Sequence, residues 1–189
     1  MSPGLRTSAR LRASLVVGMS LIAGIAATQA SAGIVAPRSK CAGQANVHAP
    51  EHQQEKAMHC LINYARAHTG TGKVGSSHSL EQAAGQKAGD VMHCGFSHTA
   101  CGKPADLYAQ RYGYTSASSW QWGENLAWGR GKRGSARKIL KAWLHSPPHR
   151  ETMLRGTFDD AGIGLRRGGF SGHHNAAVWV LELGCHGCS

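Results

Sequence analysis

Three stretches decide the interpretation of this chain: Phe96-Ser97-His98, Gly123-Glu124-Asn125 and Trp143-Leu144-His145-Ser146-Pro147-Pro148-His149-Arg150. They place two imidazoles and a carboxylate on separate segments that a compact fold could bring together. These residue types are the ones that line metal-binding clefts. The periodicity around each stretch indicates which helix or strand carries it.

Two helices are predicted upstream of His98. In residues 51–68 apolar side chains recur at intervals of three and four, which is typical of an amphipathic helix, and Gly70-Thr71-Gly72 ends it. The segment Ser79-Leu80-Glu81-Gln82 has the form of a capping box, and the helical stripe that follows it ends at Gly95. His98 is therefore expected just beyond a helix end.

A third helix is predicted around Trp143. It starts at Ser135 and runs to Ser146, where two prolines stop it. Pro148 can then open a further short turn that carries His149.

The C-terminal part changes its period, which predicts strands. Residues 161–165 and 176–183 form a hairpin whose turn is the glycine-rich stretch 168–175. Residues 123–129 are a further candidate strand, whereas residues 108–122 are irregular or form a short helix. Helices first and strands last indicate the α+β class, with helices covering an antiparallel sheet in a layered sandwich.

Residues 1–32 have the pattern of a secretory signal peptide. Arg6, Arg10 and Arg12 precede an apolar stretch, and Ala30-Ser31-Ala32 supplies the small residues of a cleavage site. The apolar stretch is shorter than the roughly 20 residues that cross a bilayer, and no later segment is continuously apolar. We therefore expect a secreted, extracellular protein, cleaved after Ala32, with no transmembrane segment after cleavage.

The remaining 157 residues contain 18 Lys and Arg against 10 Asp and Glu, a net charge of +8. That length is typical of one domain with a core of its own. We interpret residues 33–50 as a short extended leader and residues 51–189 as the domain.

The six cysteines of an exported chain are expected to form disulfides. Nearness in sequence suggests the pairs Cys41–Cys60, Cys94–Cys101 and Cys185–Cys188, of which the first would pin the leader. Spacing alone does not choose among the pairings. The segment Cys185-His186-Gly187-Cys188 could also chelate zinc or be redox-active.

The basic charge has two interpretations. Scattered Lys and Arg side chains usually keep a surface solvated. A cluster could instead hold the chain near anionic cell-envelope polymers, lipid head groups or nucleic acid, and its members are Arg130, Lys132, Arg133, Arg137, Lys138 and Lys141. No nucleic-acid-binding motif accompanies the cluster, so we expect no nucleic-acid partner.

Taken together, the motifs resemble the CAP superfamily, named for cysteine-rich secretory proteins, antigen 5 and pathogenesis-related proteins, and look most like its short bacterial, SCP-like members. The resemblance covers residues 57–183. Its parts are, in order, Cys60-Leu61-Ile62-Asn63 with Arg66, Phe96-Ser97-His98, Gly123-Glu124-Asn125-Leu126-Ala127, Trp143-x-x-Ser146-x-x-His149-Arg150, Phe158 before Gly162-Ile163-Gly164, and Trp179.

The resemblance implies a three-layer α-β-α sandwich with a central antiparallel sheet and a cleft lined by two histidines and one or two glutamates. Residue by residue, it implies a metal site of His98, His149 and Glu124. Ser146 stands where members with four such residues have the second glutamate. The site could hold Zn²⁺ or another divalent metal, with modest affinity that falls at acidic pH because protonated imidazole does not bind metal.

A structural alternative needs no metal. Glu124 could accept hydrogen bonds from backbone groups or from His149, and the two histidines would then complete a polar network under the cleft.

Three functions follow from these observations. The first is a secreted binding module for a small-molecule or lipid ligand of amphipathic or anionic character, with or without a divalent metal. The second, less favoured, is a zinc-dependent hydrolase with Glu124 as general base, although no His-Glu-x-x-His helix is present and Ser146 has no identified base. The third is a cell-envelope adhesion or structural protein, for which the basic charge and disulfides matter.

Overall fold

The computed structural model describes residues 33–188. Five α-helices lie in this range: α1 Glu51–His68, α2 His78–Cys94, α3 Leu107–Arg111, α4 Ala136–His145 and α5 Pro147–Leu154. Short 3₁₀ turns occupy Ala100–Gly102, Tyr114–Ser116 and Gly131–Gly134. No helix in residues 33–188 is long and apolar enough to cross a membrane, and the predicted signal peptide lies outside the described residues.

Four strands form one sheet in the order β1-β3-β4-β2. They are β1 Gly75–Ser76, β2 Trp120–Arg130, β3 Asp160–Phe170 and β4 His173–His186. The pairs β3–β4 and β2–β4 are antiparallel, as predicted, and the two-residue β1 adds a parallel partner at the start of β3. The α+β class is confirmed.

The helices cover both faces of the sheet. On one face α1, α4 and α5 pack over the sheet around the buried Trp143 and Trp179. On the other face α2 lies directly on β3, because Gly162 and Gly164 have no side chains to hold it away. A Cβ built at Gly162 would lie 2.0 Å from the backbone carbonyl carbon of Leu80. The result is the expected three-layer sandwich.

Several element boundaries differ from the predictions. Ser77, not Ser79, is the N-cap of α2, and its hydroxyl accepts a hydrogen bond from the Leu80 amide. The strand β3 continues through the glycines to Phe170, so the hairpin turn is only Ser171-Gly172. Residues 33–50 form a series of turns rather than an extended leader, because Ile34, Val35 and Ala36 are buried in the core.

Three disulfides form the predicted pairs, Cys41–Cys60, Cys94–Cys101 and Cys185–Cys188. All six cysteines are thereby used. The alternative in which Cys185 and Cys188 chelate zinc is therefore wrong for this structure.

Arg66 of α1 is fully buried and joins distant parts of one layer. Its guanidinium donates to four backbone carbonyl oxygens, those of Gly72 (2.6 Å), Met153 (3.0 Å), Arg155 (3.0 Å) and Phe158 (2.7 Å). The end of α5 and the approach to β3 are thus fixed to α1. Because α5 carries His149, this contact also helps to position the candidate site.

We expect Arg66→Lys to lower the stability by about 3 kcal/mol or more, because an ammonium cannot reproduce the planar fork and leaves buried carbonyls unpaired. For a chain of this size that corresponds to a fall in Tm of roughly 6–12 °C. The matched control is Arg155→Lys, whose side chain is 44% exposed. Calorimetric Tm values within about 2 °C of wild type for both variants would contradict this role of Arg66.

Candidate functional site

The three stretches that carry the two histidines and the glutamate meet along β2, which is an edge strand of the sheet. Glu124 lies within β2, His98 lies in the loop after α2, and His149 lies in α5. The strand stands between the two helical layers. His98 contacts Glu124, and Asn125, the next residue of β2, contacts the His149 backbone.

His98 is held by a loop that is fixed at both ends. Gly95, with φ of 106°, ends α2, and the disulfide between Cys94 and Cys101 closes the loop that contains the histidine. The ring Nδ1 of His98 lies 2.6 Å from Oε1 of Glu124. The imidazole is 56% exposed, whereas the Glu124 side chain is only 1% exposed. Glu124 therefore anchors the ring from below, and the rest of the ring faces solvent.

His149 is held from the other layer. Its Nδ1 lies 2.7 Å from the hydroxyl of Ser146, and its backbone carbonyl accepts a hydrogen bond of 2.8 Å from the Asn125 side-chain amide. Burial lowers the pKa of His149, and the nearby His98 lowers it further. His149 is therefore neutral at pH 7.

The two histidines offer the same ring atom to a ligand. In each, Nδ1 is engaged, by Glu124 in one and by Ser146 in the other, which leaves Nε2 without a hydrogen-bond partner among the described residues. A carboxylate on Nδ1 is the arrangement that orients a metal-binding histidine. The role of Glu124 that the geometry supports is orientation of His98 rather than ligation beside it.

The site offers two imidazoles as candidate ligands. Across residues 33–188 no group of three or more His, Cys, Asp or Glu side chains is arranged to hold a metal ion. Catalytic zinc sites use three protein ligands. The three-residue metal site of His98, His149 and Glu124 stays a prediction.

Lys87 belongs to the candidate site, and the sequence interpretation did not identify it. It belongs to α2, its side chain is 1% exposed, and its ammonium lies 3.8 Å from Oε2 of Glu124. The same ammonium donates to the carbonyl oxygens of His98 and Ala105. One buried cation therefore pairs with the site carboxylate and fixes the loop that carries His98.

A second carboxylate, Glu182, also belongs to the site. It lies on β4 directly opposite Glu124 in the antiparallel register and is 1% exposed. Residues paired in this way have Cβ atoms about 5 Å apart on the same face. The Oε2 atoms of both carboxylates are buried and accept no hydrogen bond.

Burial and the Glu124 carboxylate raise the pKa of Glu182 well above its ordinary value. Lys87 and the indole of Trp122, which lies near without reaching hydrogen-bonding geometry, act in the opposite direction and are outweighed. Burial therefore favours the neutral form of the Glu182 carboxyl. The Lys87 ammonium lies beside Glu124 and offsets negative charge there.

A signal for both missed residues exists in the sequence. Lys87 interrupts the helical stripe of Ala84, Ala88 and Val91, and Glu182 interrupts the continuous apolar run of β4. Each is a charge at a position where the pattern predicts burial. Buried charges are rare unless they are paired, so such interruptions are candidates for a site.

We expect Glu182→Gln to stabilise the protein at pH 7.5 and to change it little at pH 4. A raised folded-state pKa means that the acid's contribution to stability is present at low pH and is lost as pH rises from the ordinary value toward the raised one. Glutamine stays neutral at every pH, so the variant avoids this loss. Glu151→Gln, at a side chain 76% exposed, is the control.

The measurement is the Tm of each variant relative to wild type at the two pH values. A gain of about 2–4 °C or more at pH 7.5 is expected for Glu182→Gln. The same difference at both pH values would mean that folding does not shift the pKa of Glu182, and would contradict a raised pKa.

Solved structures of three bacterial proteins share the fold. An extracellular protein containing an SCP domain from Bacillus anthracis is 18% identical with a TM-score of 0.57, and the match covers 70% of this chain and 40% of that one. An outer surface protein from Borrelia burgdorferi is 20% identical with a TM-score of 0.59, covering 71% and 93% of the two chains. A cysteine-rich secretory protein from Staphylococcus aureus is 13% identical with a TM-score of 0.53, covering 72% and 40%.

These identities support the fold alone, and the chain spans less than half the length of the B. anthracis and S. aureus proteins. No curated protein matches the sequence significantly. The family model of CAP, the cysteine-rich secretory protein family, matches residues 60–183, which is more than half of the chain. The chain therefore belongs to the CAP family.

Proposed function

We propose that this protein is an extracellular binding protein whose cleft, formed by His98, His149 and Glu124, takes a small ligand with an anionic or amphipathic head group. The observation that carries the proposal is the pair of imidazoles whose Nδ1 atoms are both engaged and whose Nε2 atoms are both left for a ligand. A protonated ring presents N–H at Nε2 to an anion, and a neutral ring can present a lone pair to a metal.

Three observations support an extracellular location. The B. anthracis relative is described as extracellular and the B. burgdorferi relative as an outer surface protein. All six cysteines are in disulfides, which persist in oxidising compartments. Residues 1–32 have the pattern of a signal peptide.

The site is better suited to binding than to hydrolysis. A general base must reach the proton that it removes, but the Glu124 side chain is 1% exposed and one of its oxygens is bonded to His98. The other oxygen lies 3.8 Å from the Lys87 ammonium. Neither oxygen is directed to a substrate in the cleft, which favours the binding module over the hydrolase.

The ligand test uses decyl phosphate and decanoate below their critical micelle concentrations, followed by NMR of the histidine rings. We expect saturable shifts of the His98 and His149 ring signals, and a loss of affinity of about fivefold or more in His98→Ala, since a hydrogen bond contributes about 1 kcal/mol. His145→Ala, at an exposed histidine of α4, is the control. Binding without any change at His98 and His149 would exclude the cleft as the ligand site.

The metal part of the proposal is tested separately. In calorimetric titrations of untagged protein with Zn²⁺ at pH 7.5, we expect one weak site that is lost in both His98→Ala and His149→Ala and retained in His145→Ala. The heat should decrease at pH 5.5, because protonated imidazole does not bind zinc. Equal heats in wild type and both cleft variants would eliminate a metal at these residues without affecting the ligand test.

A further inference from the structure

The far end of β2 carries a group of cations that no carboxylate neutralises. Residues 129–141 contain six Lys and Arg and no Asp or Glu. Arg130, Lys132 and Arg133 are exposed. Within residues 33–188 none of these three side chains forms an ion pair with Asp or Glu, although four other Lys and Arg side chains do.

The turn that presents these cations is firmly built. The indole of Trp179, which is fully buried, donates a hydrogen bond of 2.8 Å to the carbonyl of Gly134. Gly129 and Gly134 pack backbone to backbone, since a Cβ at Gly129 would lie 2.5 Å from the Arg133 carbonyl oxygen. The cations are therefore attached to an anchored turn rather than to a free loop.

Two hollows flank this turn, and the β3–β4 hairpin completes both. One has a volume of about 450 Å³, and its charged or ionisable lining residues are His48, Lys132, Arg167 and His174. The other has a volume of about 310 Å³ and is lined by Trp128, Gly129, Arg130, Arg133 and His173. Neither lining includes an Asp or Glu. Glu51 contacts this hairpin but is already engaged by the Arg167 amide and the Arg166 guanidinium, and Glu55 accepts a hydrogen bond from the Leu165 amide.

Trp128 adds an apolar surface to the second hollow. Its ring stacks on His173 with centroids 5.9 Å apart and meets the edge of Phe170 at 5.4 Å. The indole is thus held in place and half-buried beside two arginines. A fixed aromatic ring next to guanidinium groups suits a ligand in which anionic groups alternate with carbon-rich units.

We propose that this surface, the hairpin-end patch, binds a phosphodiester polymer of the cell envelope; the patch consists of His48, Trp128, Arg130, Lys132, Arg133, Arg167, His173 and His174. The two hollows lie on either side of one turn, so a chain that crosses the turn meets cations twice. Arginine favours phosphate because its planar fork donates two parallel hydrogen bonds. The envelope as the source of the polymer rests on the proposed extracellular location, but the patch does not depend on the cleft.

The patch and the cleft are separate sites. Trp128 follows Glu124 by four residues along β2, a distance of about 13 Å in an extended strand. The proposed function and this inference can therefore fail independently of each other.

The test measures the affinity of the purified protein for poly(glycerol phosphate) at several NaCl concentrations. Wild type should bind with an affinity that falls as salt rises. The double variant Lys132→Gln/Arg133→Gln should lose about tenfold or more in affinity, because it removes two charge-assisted contacts. The matched control is Lys138→Gln/Lys141→Gln, which removes the same charge from exposed positions on α4 and should retain most of the affinity.

Three further measurements make the outcome decisive. His98→Ala/His149→Ala should bind the polymer as wild type does, and Trp128→Phe should abolish the polymer-induced change in tryptophan fluorescence. Single-stranded DNA of equal charge should bind more weakly than the polymer. Equal losses of affinity in the two double variants would mean that net charge alone explains the binding, and would contradict a specific patch. DNA binding as tight as polymer binding would overturn the choice of partner.

Discussion

The candidate site depends on the interaction of the buried Lys87 ammonium with the Glu124 carboxylate and the His98 carbonyl. The ammonium lies within reach of both, in a position from which water is excluded. Two carboxylates on neighbouring strands would repel each other in such a place. The ammonium offsets the charge of Glu124, and burial together with Glu124 raises the pKa of Glu182, which favours its neutral form. This pairing limits the free-energy cost of burying these charges. It also fixes the carboxylate that holds the His98 ring.

Local patterns predicted the parts of the fold that local forces determine. Helix α1 begins and ends within the range indicated by its apolar stripe, and Gly95 ends α2 because it can adopt a positive φ. The errors arise where a pattern has two meanings. Gly168 and Gly169 indicated a turn, but β3 continues through them to Phe170. The parallel pairing of β1 involves two residues and leaves no periodic signal.

In the candidate site, too, some features were predictable from the sequence and others were not. The family resemblance named His98, Glu124 and His149, and the structure brings their segments together along β2. Their individual contacts were not predictable, because they depend on register: Glu182 faces Glu124 only through the β2–β4 pairing, and Ser146 reaches His149 only because the chain turns between α4 and α5. Sequence alone identifies a buried charge as unusual but does not identify its partner.

The two ends of β2 differ in their balance of charge. At the candidate site the Lys87 ammonium lies 3.8 Å from Glu124, and burial raises the pKa of Glu182 and lowers the pKa of His149, which favours the neutral form of both. At the hairpin end Arg130, Lys132 and Arg133 form no ion pair within residues 33–188, but the Debye length of about 8 Å at physiological salt screens them from the candidate site. We therefore propose that a small ligand is recognised by hydrogen bonds at the two Nε2 atoms, and that a polyanion, which needs many charges at once, binds at the other end of the strand.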